Sequence, residues 1–359
     1  MKSPSKTLII RFSSIGDVVL TTPLLRVLRS RFPKSQIDFV TRKEYAELIR
    51  TNPNLNLTYE FNTSTGFAGL RKLKERLKNE RYDLVVDLHN NLRSRYLRSM
   101  LEVGEIVVVD KRVPERTLLV KLKKNKYDRI VPVADRYIET LKGQGIHPDG
   151  RGAELHLPDE VLFGTASRIA KLRLNRFEHV IGLCPFARHM TKEWPAERFA
   201  EIGLRFVKET DGAVMVFGGS QDIVRSAAVS APIKAKTQED RVIDFTGQLT
   251  LAETAASMQY CDVVVTNDSG LMHIAAAMQK RSVAVFGSTV EEFGFFPPKM
   301  TSLVVEQKGL RCRPCSHIGR NVCPEEHFRC MLDTDVETVW LAVSEMLGRE
   351  EVPEKKERA

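Results

Sequence analysis

The 359-residue sequence contains no long apolar run and few aromatic residues. A transmembrane helix needs roughly 20 consecutive apolar residues. No stretch of the chain approaches that length, so we expect no membrane span. A strand is predicted as early as residues 7–12, which leaves no room for a signal peptide before it. We therefore expect a cytoplasmic protein, with enough apolar material (42%) for two domain cores.

The sequence also lacks the signatures of the common nucleic-acid-binding classes, such as zinc fingers, RNA-recognition motifs and basic zippers. It nevertheless carries an excess of positive charge, with 55 Lys and Arg against 46 Asp and Glu. Basic residues cluster at 71–78, 93–98 and 121–126, where they could be solvated helix faces or anion contacts. The charge indicates an acidic membrane or a polyanionic substrate. Nucleic-acid binding would rest on charge alone, and we expect none.

Strands and helices alternate along the whole chain, which predicts an α/β fold with parallel sheets covered on both faces. In the first half we predict strands at 7–12, 37–40, 84–88 and 106–109, an edge segment at 127–131, and helices at 18–32, 43–51, 67–79 and 134–143. Pro23 either begins the first helix or kinks it. In the second half we predict strands at 179–184, 213–217, 261–266 and 282–286, and helices at 161–174, 194–210, 223–230 and 251–260.

A loop-like stretch at 147–160 and the helix after it separate the two halves. We therefore expect one domain at 1–165, a second at 166–348, and a charged tail at 349–359 without core residues. Ligands of such folds bind at the carboxyl ends of the strands, and polar segments follow three of the predicted strands.

The first polar segment follows the first strand and contains Ser14, Gly16 and Asp17. A carboxylate in this position can act as a general base toward a hydroxyl group. The alternative is that Asp17 only caps the next helix.

The second polar segment, residues 185–195, contains Thr191 and Lys192 and ends in Trp-Pro at a helix start. A lysine suits a phosphate because its flexible point charge tolerates varied geometry. An ordinary surface lysine is the alternative.

The third segment runs from a β-branched strand through Asn267, Asp268, Ser269 and Gly270 into an alanine-rich helix. A helix N-terminus with unpaired N–H groups is a potential anion site. A capped β–α connection without function is the alternative. A second glycine turn, at 218–219, precedes Asp222, which could reach a ribose.

Together these segments resemble glycosyltransferase family 9, the heptosyltransferases of lipopolysaccharide inner-core assembly. The resemblance covers about residues 7–347 and rests on three ordered motifs: Ile15-Gly16-Asp17 with TTPL at 21–24, Pro185 followed by Thr191-Lys192-Glu193-Trp194-Pro195, and TNDSGLMHIAAA at 266–277. One position departs from the family pattern, because Phe186 stands where the family commonly has glycine.

The resemblance implies a GT-B fold, with two Rossmann-like domains whose parallel sheets face a central cleft. It implies inverting, metal-independent transfer of heptose from ADP-heptose, bound by the second domain, to a lipid A–Kdo-type acceptor bound by the first. Domain closure would bring the two substrates together. The protein would contact the inner membrane face peripherally, at its cytoplasmic side.

The resemblance also implies roles for individual residues. Asp17 would be the base, and Lys192 would stabilise the leaving diphosphate. The implied donor contacts are Thr191, Lys192, Asp222, Leu249, Asp268, Ser269, Gly270 and His273. On the acceptor side we expect contacts from Ser14, Gly16, Asn90 and Arg93, for which a structural role is an equal alternative.

Four of the six cysteines lie in a C-x2-C-x7-C-x6-C pattern at 312–330: Cys312, Cys315, Cys323 and Cys330. In a cytosolic protein this density favours metal binding over disulfides, and structural zinc is the first hypothesis. Redox-labile thiols and disulfides are the alternatives. Such a metal would be structural, because four protein ligands leave no position for a substrate.

Two further hypotheses remain beside heptosyl transfer. The first is a family 9 enzyme that uses another nucleotide sugar or acceptor. The second is a non-catalytic nucleotide- or glycolipid-binding protein, against which the presence of Asp17, Lys192 and Asp268 argues.

Overall fold

The computed structural model describes residues 4–99, 101 and 103–348. The charged tail predicted at 349–359 lies outside the described residues. The chain divides into two compact units, and the first comprises Met1–Gly164 together with Thr250–Ala256 and Glu291–Phe296. The second comprises Thr165–Leu249, Ser257–Val290 and Pro297–Ala359. Each unit contains one parallel β-sheet.

The sheet of the first unit has five parallel strands in the order β3-β2-β1-β4-β5. The strands are β1 (Lys6–Ile10), β2 (Gln36–Arg42), β3 (Leu57–Phe61), β4 (Leu84–Asp87) and β5 (Glu105–Val108). Strand β1 pairs with β2 on one side and with β4 on the other, so that Ile10 is in register with Asp87. The segments that follow β1 and β4 therefore leave the sheet side by side.

Seven α-helices lie in the first half of the described chain. They are α1 (Ile15–Val19), α2 (Thr22–Arg31), α3 (Gly66–Glu80), α4 (Leu92–Arg98), α5 (Val113–Leu122), α6 (Val133–Glu139) and α7 (Asp159–Lys171). Side chains alternate across a strand, and β1 shows the result. Ile9 packs with Leu24 and Leu28 of α2 on one face, whereas Ile10 packs with Leu70 of α3 on the other.

The sheet of the second unit has six parallel strands in the order β11-β10-β9-β6-β7-β8. The strands are β6 (Val180–Cys184), β7 (Ala213–Val216), β8 (Val242–Asp244), β9 (Val263–Asn267), β10 (Arg281–Phe286) and β11 (Ser302–Glu306). The remaining α-helices of the described chain are α8 (Ala196–Thr210), α9 (Ile223–Lys234), α10 (Leu251–Met258), α11 (Gly270–Ala277), α12 (Arg329–Leu332) and α13 (Val336–Leu347). Most of α10 belongs to the first unit.

The core of the second unit explains why the sequences of β6 and β9 are nearly continuous apolar runs. Both strands are central, and every residue of each is buried, as strands covered on both faces must be. Trp194, Phe199 and Trp340 fill one face of the sheet, together with the inward side chains of α8 and α13.

The structure confirms the α/β class and the two parallel sheets. It also corrects several predicted elements. The single helix at 18–32 is wrong, because the chain forms α1 and α2, and Pro23 lies in the first turn of α2, where its missing N–H needs no partner. The helix predicted at 43–51 is instead the 3₁₀ helix Lys43–Leu48, and residues 127–131 form no strand. Strands β3, β8 and β11, which were not predicted, are edge strands of their sheets, and β8 has only three residues.

Within the residues that the structure describes, no helix has both the length and the apolar character needed to cross a membrane.

Candidate active site

The first candidate centre is the Asp17 carboxylate in α1. Its Oδ2 atom accepts hydrogen bonds from the Ser14 backbone N–H (3.0 Å) and hydroxyl (2.8 Å). Its Oδ1 atom lies 2.6 Å from the Arg11 guanidinium and accepts a hydrogen bond from the Tyr137 hydroxyl at 3.0 Å. Asp17 therefore bonds the N-cap residue of α1, and it is also the centre of a network of positive and donor groups.

This network keeps the Asp17 carboxylate charged. Burial by itself would raise its pKa, but the charge of Arg11 and the hydrogen bonds from Ser14 and Arg11 outweigh burial and lower the pKa to about 2. Only 15% of the side chain is exposed. Arg11 in turn donates to the Leu88 carbonyl and lies over the Tyr137 ring, so three elements hold Asp17 in one orientation.

Further groups beside Asp17 make the end of this sheet electropositive. Burial, with the charges of Arg11 and Lys111, lowers the pKa of His89 to about 3, so its imidazole is neutral at neutral pH. Burial, followed by the charge of Arg11, lowers the pKa of Lys111. The Lys111 ammonium reaches the Asn90 carbonyl at 3.4 Å. This positive field suits an anionic ligand.

The predicted acceptor contacts lie at this same edge of the first sheet. Asp87, at the end of β4, accepts the N–H groups of His89 (2.9 Å) and Asn90 (2.7 Å), which turns the chain sharply into α4. Asn90 is half-buried with a φ of 41°, and its side chain accepts from Arg95 at 3.2 Å. Arg93 is exposed, whereas Gly16 is buried. Their roles as acceptor contacts stay predictions.

The second candidate centre lies at the carboxyl ends of β6 and β9, and Asn267 organises it. The Asn267 amide donates to the Pro185 carbonyl at 2.8 Å and accepts from the Trp194 N–H at 3.0 Å. Lys192 lies in the loop between Pro185 and Trp194. Asn267 therefore binds both ends of this loop at the end of β9. Asn267 is fully buried, and a buried amide without these partners would be costly. The sequence placed Asn267 in the third polar segment but did not indicate that it holds this loop.

This loop brings Lys192 into contact with Asp268. The Lys192 ammonium lies 2.6 Å from Asp268 Oδ2, and the two side chains are 14% and 6% exposed. Asp268 Oδ2 also accepts the Thr289 hydroxyl at 2.6 Å, from the segment after β10. Two residues that are 76 positions apart in the sequence, both predicted to bind the donor, thus form one nearly buried ion pair.

The N-terminus of α11 lies directly after Asp268. Ser269 is its N-cap residue, but the Ser269 side chain does not cap the helix. Among the described residues, the buried Ser269 hydroxyl has no hydrogen-bond partner. The first N–H groups of the helix, beginning at Gly270, project at this end with the positive end of the helix dipole. His273 is buried one turn further along. The arrangement can accept an anion beside Lys192.

Thr191 is held inside the second unit. Its N–H donates to the Arg320 carbonyl (3.0 Å), and its hydroxyl accepts from the Arg320 N–H (2.7 Å) and contacts Ser288 (3.1 Å). A side chain at Gly287 would come within 2.8 Å of the Thr191 carbonyl, so only glycine allows this approach. Thr191 is 1% exposed. These contacts are those of a residue that positions Lys192, and its own contact with the donor stays a prediction.

The other predicted donor residues are Asp222, beside the glycine turn after β7, and Leu249, between β8 and α10. Asp222 accepts the Gly219 N–H at 3.0 Å, so one of its oxygens stabilises the turn itself. Leu249 is half-buried. Phe186, the departure from the family pattern, is buried under the Arg225 guanidinium and packs against Gly218, where a Cβ would lie 2.8 Å from its ring. The missing side chain at position 218 provides the room for the larger one at 186.

The cysteine-rich segment lies against the Lys192 loop. All four cysteines of the pattern line one small cavity of about 10 Å³, together with Thr191, Ser288 and His327. Burial and the neighbouring cysteines raise the pKa of Cys330 to about 12. In the part of the chain that the structure describes, no disulfide joins the cysteines, and no three His, Cys, Asp or Glu side chains converge as ready metal ligands. Structural zinc therefore stays a prediction.

Some residues of both centres were not found from the sequence. Arg11 had a signal, since an arginine inside an otherwise apolar strand needs a charged partner. Tyr137, Lys111 and Thr289 had none, because each reaches its centre from a distant part of the chain.

The sequence matches a known protein family. Residues 70–325, more than half of the chain, match the model of glycosyltransferase family 9 (heptosyltransferase). The chain belongs to this family. It is therefore a glycosyltransferase, and the family resemblance seen in the sequence is confirmed.

Curated relatives are similar over most of their length. Lipopolysaccharide heptosyltransferase 2 of Salmonella typhimurium is 26% identical over 80% of this chain and 84% of the relative. Lipooligosaccharide heptosyltransferase 2 of Haemophilus ducreyi is 27% identical over 84% of this chain and 88% of the relative.

Solved structures share the fold. A family 9 glycosyltransferase of Veillonella parvula is similar with a TM-score of 0.80 and 23% identity, over 98% of this chain and 99% of that one. E. coli ADP-heptose lipopolysaccharide heptosyltransferase II has a TM-score of 0.71 and 23% identity, over 96% and 99%. The E. coli heptosyltransferase WaaC, solved with ADP, has a TM-score of 0.68 and 17% identity, over 95% and 99%. These likenesses support the GT-B assignment.

Proposed function

We propose that this glycosyltransferase moves heptose from ADP-heptose to a hydroxyl group of a lipopolysaccharide inner-core acceptor, with inversion at the anomeric carbon. The observation that carries the proposal is the Lys192–Asp268 pair, 2.6 Å apart, at the N-terminus of α11. An ammonium, a buried hydroxyl at Ser269 and the N–H groups of a helix start form a site suited to a diphosphate. The Salmonella relative is named for lipopolysaccharide heptosyl transfer, and the structure of E. coli WaaC was solved with ADP.

In this proposal the second unit stabilises the leaving group. Negative charge grows on the diphosphate as the glycosidic bond breaks, and Lys192 with the start of α11 neutralises it. Donors that are already in place when charge develops are the most effective. Asp268 orients Lys192 and accepts hydroxyl groups of the heptose. No step requires a metal ion, since Lys192 supplies the positive charge on the phosphates.

The first unit activates the acceptor. Asp17 accepts a hydrogen bond from the attacking hydroxyl and takes its proton as the new bond forms. With a pKa of about 2 it is a weak base, so we expect proton transfer late in the reaction, when the hydroxyl has become acidic by bonding to the anomeric carbon. Arg11 and Lys111 attract the anionic acceptor to the same edge of the sheet.

The direct test is release of ADP from ADP-heptose in the presence of a heptose-free lipopolysaccharide acceptor. Asp17→Ala should abolish turnover while ADP binding is retained, and a fully active Asp17→Ala enzyme would contradict the base assignment. Turnover should be the same with added Mg²⁺ and after brief exposure to EDTA.

The same assay separates the rival functions. Turnover with a different nucleotide sugar, and none with ADP-heptose, would identify another family 9 donor. Tight ADP binding without turnover on any acceptor would favour a non-catalytic binding protein. A cytoplasmic enzyme at the inner membrane face fits the proposed acceptor, which is a membrane lipid.

A further inference from the structure

Two large apolar side chains of the first unit are strongly exposed on neighbouring helices. Phe67, in the first turn of α3, is 65% exposed, and Leu92, the first residue of α4, is 84% exposed. Neither helix needs them for its packing, because α3 buries Leu70, Leu73 and Leu77, and α4 buries Leu97. Single exposed apolar residues are common on soluble proteins, so exposure alone would mean little.

Their contacts join them into one patch. The rings of Phe67 and Tyr96 are 4.8 Å apart, and Tyr96 follows Leu92 by four residues, which places both on one face of α4. The Lys74 ammonium lies 4.1 Å from the centre of the Tyr96 ring. We call Phe67, Leu92 and Tyr96 the apolar patch.

Basic residues surround the apolar patch. Arg71 follows Phe67 by one turn of α3, and Arg93 and Arg95 flank Leu92; all three are exposed. Helix α4 contains no Asp or Glu between residues 92 and 98. Exposed aromatic and leucine side chains ringed by arginine are the combination that binds the interface of an anionic membrane.

The apolar patch also lies at the carboxyl end of the sheet, the end at which Asp17 lies. Helix α4 follows β4, and Asp17 follows β1, and these strands are adjacent and in register. Both segments therefore leave the same edge. A surface that contacts a bilayer here would hold the Asp17 edge close to lipid headgroups.

We propose that the apolar patch and its arginines dock the first unit on an anionic phospholipid bilayer. Phe67 and Leu92 insert among the headgroups, and Arg71 and Arg95 pair with lipid phosphates. This inference extends the proposed function and rests on it in one respect. The proposed acceptor is a glycolipid, which is presented at a membrane surface. Docking at this edge presents that acceptor to Asp17.

The test is co-sedimentation of the full chain with lipid vesicles, without donor or acceptor. Vesicles of phosphatidylcholine are compared with vesicles in which about a third of the lipid is phosphatidylglycerol. We expect binding only to the anionic vesicles, and weaker binding as salt rises. Phe67→Ser/Leu92→Ser should lower the partition coefficient by about tenfold or more. Arg71→Gln/Arg95→Gln should lower it by about fivefold or more.

Phe163→Ser is the matched control, because Phe163 is 74% exposed in the first unit but outside the patch. It should bind vesicles like the wild type. The proposal is overturned if the wild type does not bind anionic vesicles or if the Phe67→Ser/Leu92→Ser variant binds them as well as the wild type. It is overturned too if Phe163→Ser loses as much vesicle binding as the Phe67→Ser/Leu92→Ser variant. It is also overturned if light scattering shows a dimer that Phe67→Ser/Leu92→Ser dissociates, because a second copy would then cover the patch.

Activity separates this proposal from the proposed function. On a delipidated acceptor in solution, the Phe67/Leu92 variant should release ADP as fast as the wild type. Normal turnover with lost vesicle binding supports docking. Vesicle binding by a protein that never turns over would leave docking intact and contradict the transferase proposal instead.

Discussion

Replacing Asp268 by asparagine should separate nucleotide binding from sugar binding. Asp268 holds Lys192 in an ion pair of 2.6 Å and is only 6% exposed, so its charge is poorly screened by solvent. A bound diphosphate would be attracted by the Lys192 ammonium and repelled by the Asp268 carboxylate. The Thr289 hydroxyl, 2.6 Å from Asp268 Oδ2, can still donate to the asparagine oxygen, so the local fold should be retained.

The expected magnitude follows from Coulomb's law. At a separation of about 7 Å and an effective dielectric of about 20, the Asp268 carboxylate repels one phosphate charge by about 2 kcal/mol. Allowing for screening by salt, we expect Asp268→Asn to bind ADP about fivefold to tenfold more tightly. Lys192→Met should do the opposite and weaken ADP binding by tenfold or more. It also leaves a nearly buried carboxylate unpaired, which costs about 3–5 kcal/mol of stability.

Isothermal titration calorimetry with ADP and with ADP-heptose measures both effects. If Asp268 accepts hydroxyl groups of the heptose, the asparagine variant should gain affinity for ADP but lose the additional affinity that the sugar contributes. Asp262→Asn is the charge control, because it removes a carboxylate just before β9, at the other end of that strand, where Asp262 accepts the Val180 N–H at 2.7 Å. It should leave ADP affinity unchanged.

One result would refute this reasoning. If Asp268→Asn weakens ADP binding as much as Lys192→Met, with thermal unfolding unchanged, then Asp268 is itself a contact of the nucleotide or a part of its scaffold. The ion pair would then not be the regulator of phosphate affinity that the geometry indicates.

Three further predictions concern groups around the two centres. Tyr137→Phe removes a hydrogen-bond donor from Asp17 and should raise the Asp17 pKa. Because the Asp17 pKa is lowered in the folded protein, its contribution to stability is present above about pH 4 and lost as the pH falls toward 2. Urea unfolding should therefore show about 1–2 kcal/mol lower stability of the variant at pH 7, and an acid limb of kcat/KM set by Asp17 should move upward; an unchanged profile and stability would contradict this. Asn267→Ala leaves both ends of the Lys192 loop unfastened and should weaken ADP binding about tenfold or more, whereas unaltered binding would show that the loop is held by other contacts. If the four-cysteine pattern holds structural zinc, metal analysis should find one ion per chain, lost in Cys312→Ser/Cys315→Ser, while metal-free protein with all six thiols reactive after unfolding would exclude it.

The sequence alone determined the architecture and indicated which residues are candidates for the chemistry. Alternation of apolar strands with amphipathic helices predicts parallel sheets, because only that pattern buries strands on both faces. Asp17, Lys192 and Asp268 could be predicted as candidates because each follows a strand in a motif, and such sheets bind ligands at the carboxyl ends of their strands. These patterns involve residues close together in the chain, so they can be recognised in the sequence without the tertiary structure.

The tertiary structure decided which side chains work together. The 2.6 Å approach of Lys192 to Asp268, the fastening of the loop by Asn267, and the enclosure of Asp17 by Arg11 and Tyr137 all join distant positions. No sequence spacing encodes them, because they depend on strand order and register. The same holds for the apolar patch, where exposure rather than hydrophobicity carries the information: a leucine is unremarkable in a sequence, and Leu92 is informative only because it is 84% exposed.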